Sequence, residues 1–178
     1  LSSTNATKLT VNKVSTGIEV IDQGNGTVVV IVPGNATGNV TIVVENKTFN
    51  GTVVNGTAII NLTNVTPGVH NITVIYSGDT NHTNATVNAT VTISKLITPI
   101  KVNVNDIYVG DVARINVTVP DGATGKVRIE INGKEYFEPI ENGVARFKVE
   151  NLTAGIKTVY ASYVGDNNYT GNHTSANF

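Results

Sequence analysis

Pro33-Gly34-Asn35-Ala36-Thr37-Gly38-Asn39-Val40 and Pro120-Asp121-Gly122-Ala123-Thr124-Gly125-Lys126-Val127 are two copies of one turn and strand start, 87 residues apart. Downstream the offset holds without insertion or deletion as far as at least Asn84. It pairs Lys47 with Lys134, Phe49 with Tyr136, Asn55-Gly56 with Asn142-Gly143, Tyr76 with Tyr163, and Gly78-Asp79-Thr80-Asn81 with Gly165-Asp166-Asn167-Asn168. A fixed period of this size marks a repeated structural unit. Upstream the register is lost near Thr27, so the opening strands differ in loop length. The chain reads as two domains, residues 1–95 and 96–178, with a short joint near residues 94–99, where Pro99 holds its predecessor extended.

Within each copy, apolar residues alternate with polar ones in short runs, and no helical period is present. The inward set of the first copy is Val28, Val30, Val32; Val40, Ile42, Val44; Ala58, Ile60, Leu62; Ile72, Val74, Tyr76; and Val87, Ala89, Val91. The second repeats it with Ile115, Val117, Val119; Val127, Ile129, Ile131; Ala145, Phe147, Val149; Val159, Ala161, Tyr163; and Ala176, Phe178. One dry and one wet face per strand is the pattern of antiparallel sheets. Asn55-Gly56 and Asn142-Gly143 are hairpin signals, because both central residues of a type I′ turn need positive φ. About seven strands in under about 90 residues predict an all-β fold of two tandem antiparallel β-sandwich domains.

Net charge is −1 and only 14% of residues are charged, so there is no basic field to hold nucleic acid, and nucleic acid is not an expected partner. Cysteine is absent, which excludes a disulfide framework, a thiol nucleophile and thiolate metal sites. Methionine is absent too, so the residues read as a cleaved product or a segment of a longer protein. No run is long enough for a membrane-spanning helix, and no membrane contact is expected within the segment.

Catalytic chemistry is hard to assemble from these residues. The three histidines, His70, His82 and His173, recur in neither copy, and His82 stands where the second copy has Tyr169. They read as ordinary strand-end or turn residues. The acids of the first copy are Glu19, Asp22, Glu45 and Asp79, with Glu45 on the outward register of its strand; those of the second alternate with Lys and Arg, as on a solvated sheet face. The Gly-Asp-x-Asn turns make Asp79, Asn81, Asp166 and Asn168 weak calcium candidates, although Asp and Asn in such turns also bond their own backbone. Lys101 and Asn177 are a candidate pair for a covalent Lys–Asn cross-link. No enzyme activity and no cofactor are expected.

Asn-x-Ser/Thr acceptors number thirteen in the first copy and four in the second, against roughly four or five expected by chance for the whole chain. Asn39, Asn61, Asn71, Asn88 and Asn116 fall on outward registers and are the glycosylation candidates. Charge is distributed the other way. Lys126, Arg128 and Glu130 on one strand and Arg146, Lys148 and Glu150 on another form the candidate binding face, and period two alone leaves open whether those strands share a sheet.

The Val119-Pro120-Asp121-Gly122-Ala123-Thr124-Gly125 turn, Asn132-Gly133-Lys134, Leu152-Thr153-Ala154-Gly155-Ile156 and Tyr163-Val164-Gly165-Asp166-Asn167-Asn168-Tyr169 together resemble the immunoglobulin-like repeats of bacterial and archaeal surface proteins. The adhesin-like proteins of methanogenic archaea are the nearest in pattern. The resemblance implies tandem immunoglobulin-like sandwiches in an extracellular, cell-surface chain. Their expected work is as a stalk or adhesive module, with neighbouring repeats and a host or neighbouring surface protein or glycan as partners. The alternative is an accessory carbohydrate-binding or spacer module of a secreted enzyme, which calls for exposed aromatics.

Overall fold

A computed structural model describes residues 8–178. The chain divides into two compact units, Leu1–Ser94 and Lys95–Phe178. The sequence boundary moves by one residue, because Lys95 donates its ammonium to the Asp166 carbonyl at 2.5 Å and Leu96 bridges to Tyr169.

Among the described residues every element is a strand. In unit 1, β1 (Glu19–Asp22), β2 (Thr27–Ile31) and β5 (Thr57–Asn61) form one antiparallel sheet in the order β1-β2-β5. The other sheet contains β3 (Asn39–Val44), β4 (Lys47–Thr52), β6 (Gly68–Tyr76) and β7 (Ala85–Ile93) in the order β4-β3-β6-β7. Unit 2 repeats the scheme. Its strands β8 (Lys101–Asn103), β9 (Ala113–Thr118) and β12 (Val144–Val149) make the three-stranded sheet, ordered β12-β9-β8. Strands β10 (Lys126–Ile131), β11 (Lys134–Pro139), β13 (Thr158–Gly165) and β14 (Thr170–Asn177) make the four-stranded one, ordered β11-β10-β13-β14. Three strands over four is the immunoglobulin-like sandwich that the alternation predicts.

The inward set is where the sequence puts it. Val28, Val30, Val40, Ile42 and Val74 in unit 1, and Ile115, Val117, Val127, Ile129 and Val159 in unit 2, are fully buried. Each such side chain contributes about 1.5–3 kcal/mol over its exposed state. Val87, Ala89, Ala176 and Phe178 pack against these cores half-buried.

The Asn-Gly pairs take the positive φ their turns need, with Asn55 and Asn142 both at φ 49° and the glycines after them at 73° and 72°. They do not close hairpins: β4 and β5, and β11 and β12, lie in different sheets and pair only at the Val54–Thr57 and Glu141–Val144 bridges, so the chain crosses the sandwich there. The hairpins are closed by a turn of the same positive-φ kind, which joins β3 to β4 and β10 to β11. In unit 2 it is Asn132-Gly133, at φ 52° and 75°, whereas in unit 1 it is Glu45-Asn46, at 47° and 60°. Glu45 is therefore a turn residue and not an outward strand residue. It is held there by its carboxylate, which accepts from the Lys47 ammonium at 3.2 Å, from the Thr66 N–H at 3.4 Å and from the Thr66 hydroxyl.

The loss of register near Thr27 has a definite location. Glu19 faces Ile31 and Lys101 faces Thr118, so β1 and β8 are 82 residues apart while the strands after them are 87 apart. Five extra residues lie in the β8–β9 connection, residues 104–112, against residues 23–26 in unit 1.

Candidate binding faces

The two Gly-Asp turns have the same design. Asp79 accepts the Thr37 N–H at 2.7 Å on one oxygen, and the Asn81 and His82 N–H groups at 2.8 and 2.7 Å on the other. The His82 ring lies 2.9 Å from the same carboxylate. Asp166 takes the Thr124 N–H at 2.7 Å and the Asn168 and Tyr169 N–H groups at 2.8 Å each. Each aspartate thus ties its own turn to a loop 42 residues earlier. The Thr37 N–H above all, against the opposing pull of burial, holds the Asp79 carboxyl well below its ordinary range. Burial pushes Asp166 up, and the N–H donors of Thr124, Asn168 and Tyr169 outweigh it and keep that carboxyl equally low. Burial, and then the Asp166 carboxylate, push the Tyr163 phenol up to about 12.

Against the calcium expectation, the lone pairs a cation would need are already spent on N–H donors. Among the described residues no group of three His, Asp or Glu side chains could hold a metal ion. The asparagines of these turns, Asn81 and Asn168, contribute backbone N–H groups and expose their side chains. His82 is a turn residue but not an exposed one, being buried to 2% exposure with its ring against Asp79. His70 bonds the Thr66 carbonyl at 2.7 Å and His173 is exposed. Lys101 and Asn177 both face solvent, and the Asn177 side chain accepts from the Thr158 hydroxyl at 3.0 Å, so the two are not a buried cross-link pair.

The wet faces are where the units differ. On the four-stranded sheet of unit 1, every strand carries one outward sequon asparagine: Asn39 on β3, Asn50 on β4, Asn71 on β6 and Asn88 on β7, all exposed. Cross-strand threonines bond three of them through the side-chain oxygen, Thr52 to Asn39 at 3.3 Å, Thr41 to Asn50 at 2.9 Å and Thr73 to Asn88 at 3.0 Å. Thr27 does the same for Asn61 on the other sheet at 2.9 Å. These bonds occupy Oδ1 and none of them uses Nδ2, the atom a glycan is attached to. Asn116 is exposed on β9. Asn172 differs, since its Nδ2 donates to the Thr98 carbonyl at 2.6 Å. Asn5 lies outside the described residues.

In unit 2 the candidate binding face separates into two. Lys126, Arg128 and Glu130 lie on β10, in the four-stranded sheet; Arg146 and Lys148 lie on β12, in the other sheet, with Glu150 just beyond it. They look out from opposite sides of the sandwich.

On the β10 side Arg128 is compensated. Arg128 lies against Glu130 at 3.5 Å, pairs with Glu135 and donates to the Ser162 hydroxyl at 3.3 Å. Beside it are two exposed aromatics, Phe137 directly opposite Arg128 and Tyr160 directly opposite Glu130.

The β12 side is not compensated. Arg114 on β9 stands directly opposite Lys148, Asn116 opposite Arg146, and Lys101 on β8 opposite Thr118. Lys101, Arg114, Arg146 and Lys148 are all exposed, and among the described residues none makes an ion pair or a side-chain hydrogen bond. Arg114 and Lys101 were not in the sequence-based face, because only strand register shows that they join Arg146 and Lys148.

Residues 100–178 match the family described as bacterial Ig-like domain (group 3). No curated protein matches the chain. Among solved structures it is similar to the fibronectin(III)-like modules of Clostridium thermocellum CbhA, at 13% identity over 90% of this chain and 92% of that one, with a TM-score of 0.35. It is also similar to a beta-glucuronidase from Parabacteroides merdae, at 11% identity and a TM-score of 0.33, over 92% of this chain and 25% of that one. The chain spans a quarter of the length of that second structure.

Proposed function

We propose that this chain is a non-enzymatic, extracellular segment of a large adhesin-like surface protein, with unit 1 serving as a glycan-coated shaft and unit 2 as a bare, adhesive module. The observation that supports the reading is the contrast between two sandwiches with the same core and different wet faces. Unit 1 places one sequon asparagine on each strand of its four-stranded sheet, and unit 2 places unpaired cations on its three-stranded one. Selection that acted only on the fold has no reason to separate the faces in this way.

Mass spectrometry of protein from its native cells tests the shaft. Glycans on Asn39, Asn50, Asn71 and Asn88 are expected; bare asparagine at all four removes the shaft from the account. A second reading, a carbohydrate-binding module attached to an enzyme, draws support from exposed Tyr160 and Phe137 beside Arg128. Cellohexaose binding that is lost in Tyr160→Ala would favour it.

A further inference from the structure

We infer that the outer face of the β12-β9-β8 sheet is a docking surface for an acidic polysaccharide, a linear chain of carboxylate- or sulfate-bearing sugars. This rests on the adhesive reading of unit 2 and names the partner's chemistry.

One arrangement on this face costs stability. Arg114 and Lys148 are direct cross-strand partners. Side chains in that relation have Cβ atoms about 5 Å apart, and like charges there repel. Arg146 follows one outward position along β12 from Lys148, and Lys101 adds a fourth cation from β8. The nearest acids along the strands are Glu150, two residues beyond Lys148, and Asp111, whose carboxylate accepts the Tyr108 N–H at 3.1 Å. Neither forms an ion pair with the four.

The same unit shows how such charges are ordinarily neutralised, with Arg128 between Glu130 and Glu135 on the opposite side. Unit 1 shows that the fold does not need cations here. The positions matching Lys101, Arg114, Arg146 and Lys148 are Glu19, Thr27, Ile59 and Asn61. A net-negative chain therefore gathers four cations without ion-pair partners on one sheet face of one unit. A polyanion laid across strands about 4.8 Å apart supplies the missing countercharges.

The face presents no exposed aromatic ring on its strands for base stacking, which favours a polysaccharide over single-stranded nucleic acid. Asn116 stands between the cations, opposite Arg146. A glycan there would cover the face, so polyanion docking requires Asn116 to remain bare.

The test uses the whole chain made without glycosylation, with alginate as the polycarboxylate, dextran sulfate as the polysulfate and uncharged dextran as control. Saturable binding to at least one polyanion and none to dextran is expected, with affinity falling at least about tenfold between 20 and 200 mM salt. The Arg114→Glu, Arg146→Glu double variant should lose the binding, and the Lys126→Glu, Arg128→Glu double variant should keep it. Arg114→Glu alone should raise the melting temperature of unit 2, which shows that lost binding is not lost folding.

Absence of binding to both polyanions, equal losses in the two double variants, or tighter binding to a single-stranded oligonucleotide than to either polysaccharide would overturn the inference. Cell attachment separates it from the reading on which it rests. If Arg146→Glu weakens attachment while neither polyanion binds, the ligand chemistry is wrong and the adhesive role stands. If a polyanion binds and attachment is unchanged, the site stands and the adhesive role falls.

Discussion

The hydroxyl of Tyr169 lies over Gly122, so close that a Cβ on Gly122 would stand 3.0 Å from it. In unit 1 the equivalent positions are His82 and Asn35. These two differences between the copies fall at a single contact of unit 2, that of Tyr169 with Gly122. A tyrosine ring needs the glycine, and the smaller histidine leaves room for an asparagine. His82→Tyr should destabilise unit 1 by about 1–3 kcal/mol through overpacking, and Asn35→Gly should recover much of that loss. A thermal double-mutant cycle checks it. Additive effects of the two changes would show that the pair is not coupled.

Asp79 and Asp166 make both units sensitive to acid. Each carboxyl is held below its ordinary 3.8 in the folded state, so the stability it contributes is complete above about pH 5 and is lost as pH falls through and below 3.8. Melting temperatures should fall steeply between about pH 5 and pH 2, and Asp166→Asn should flatten that fall for unit 2 alone. Tyr163 adds an alkaline limb. Its folded phenol stays neutral to about 12, so unit 2 should lose stability as pH rises from about 10 to that value. An acid profile unchanged by Asp166→Asn would remove the aspartate from this role.

Gly143 and Gly133 have nearly the same φ, 72° and 75°, and different surroundings. A Cβ on Gly143 would meet the Val119 carbonyl oxygen at 2.9 Å, whereas one on Gly133 meets nothing within 4 Å. Gly133→Ala should cost only the backbone strain, about 1 kcal/mol, and Gly143→Ala should cost clearly more. Denaturant titration of the two variants gives the comparison, and equal costs would contradict it.

The inward register is open to a charge test. Val117 is fully buried and its strand neighbour Asn116 is exposed. Val117→Asp should remove the unit 2 transition at a cost of several kcal/mol while leaving that of unit 1, and Asn116→Asp should change little. Loss of both transitions in Val117→Asp would show that the units do not fold separately.

Much of this fold is legible before any coordinates, because period-two alternation assigns Val40, Ile42 and Val44 to the core without reference to other strands. The repeat then transfers each assignment to Val127, Ile129 and Ile131. What stays hidden is pairing over distance. Alternation says that Arg128 and Arg146 are both wet and not that they lie on opposite sides, since sheet membership depends on partners far along the chain. The Asp166 turn is visible as Gly-Asp-Asn-Asn, while its bond to Thr124, 42 residues earlier, leaves no local mark. The five-residue insertion is visible as lost register but not as a place, because β8 has only Val102 to identify it as a strand.

Attachment of native-host cells carrying Arg146→Glu, compared with cells carrying Arg128→Glu, tests the account most directly. The two substitutions reverse the same charge on opposite sides of unit 2. Weakened attachment is expected for Arg146→Glu and wild-type attachment for Arg128→Glu, with equal amounts of each protein at the surface. Wild-type attachment by the Arg146→Glu cells, or equal weakening in both strains, would contradict it.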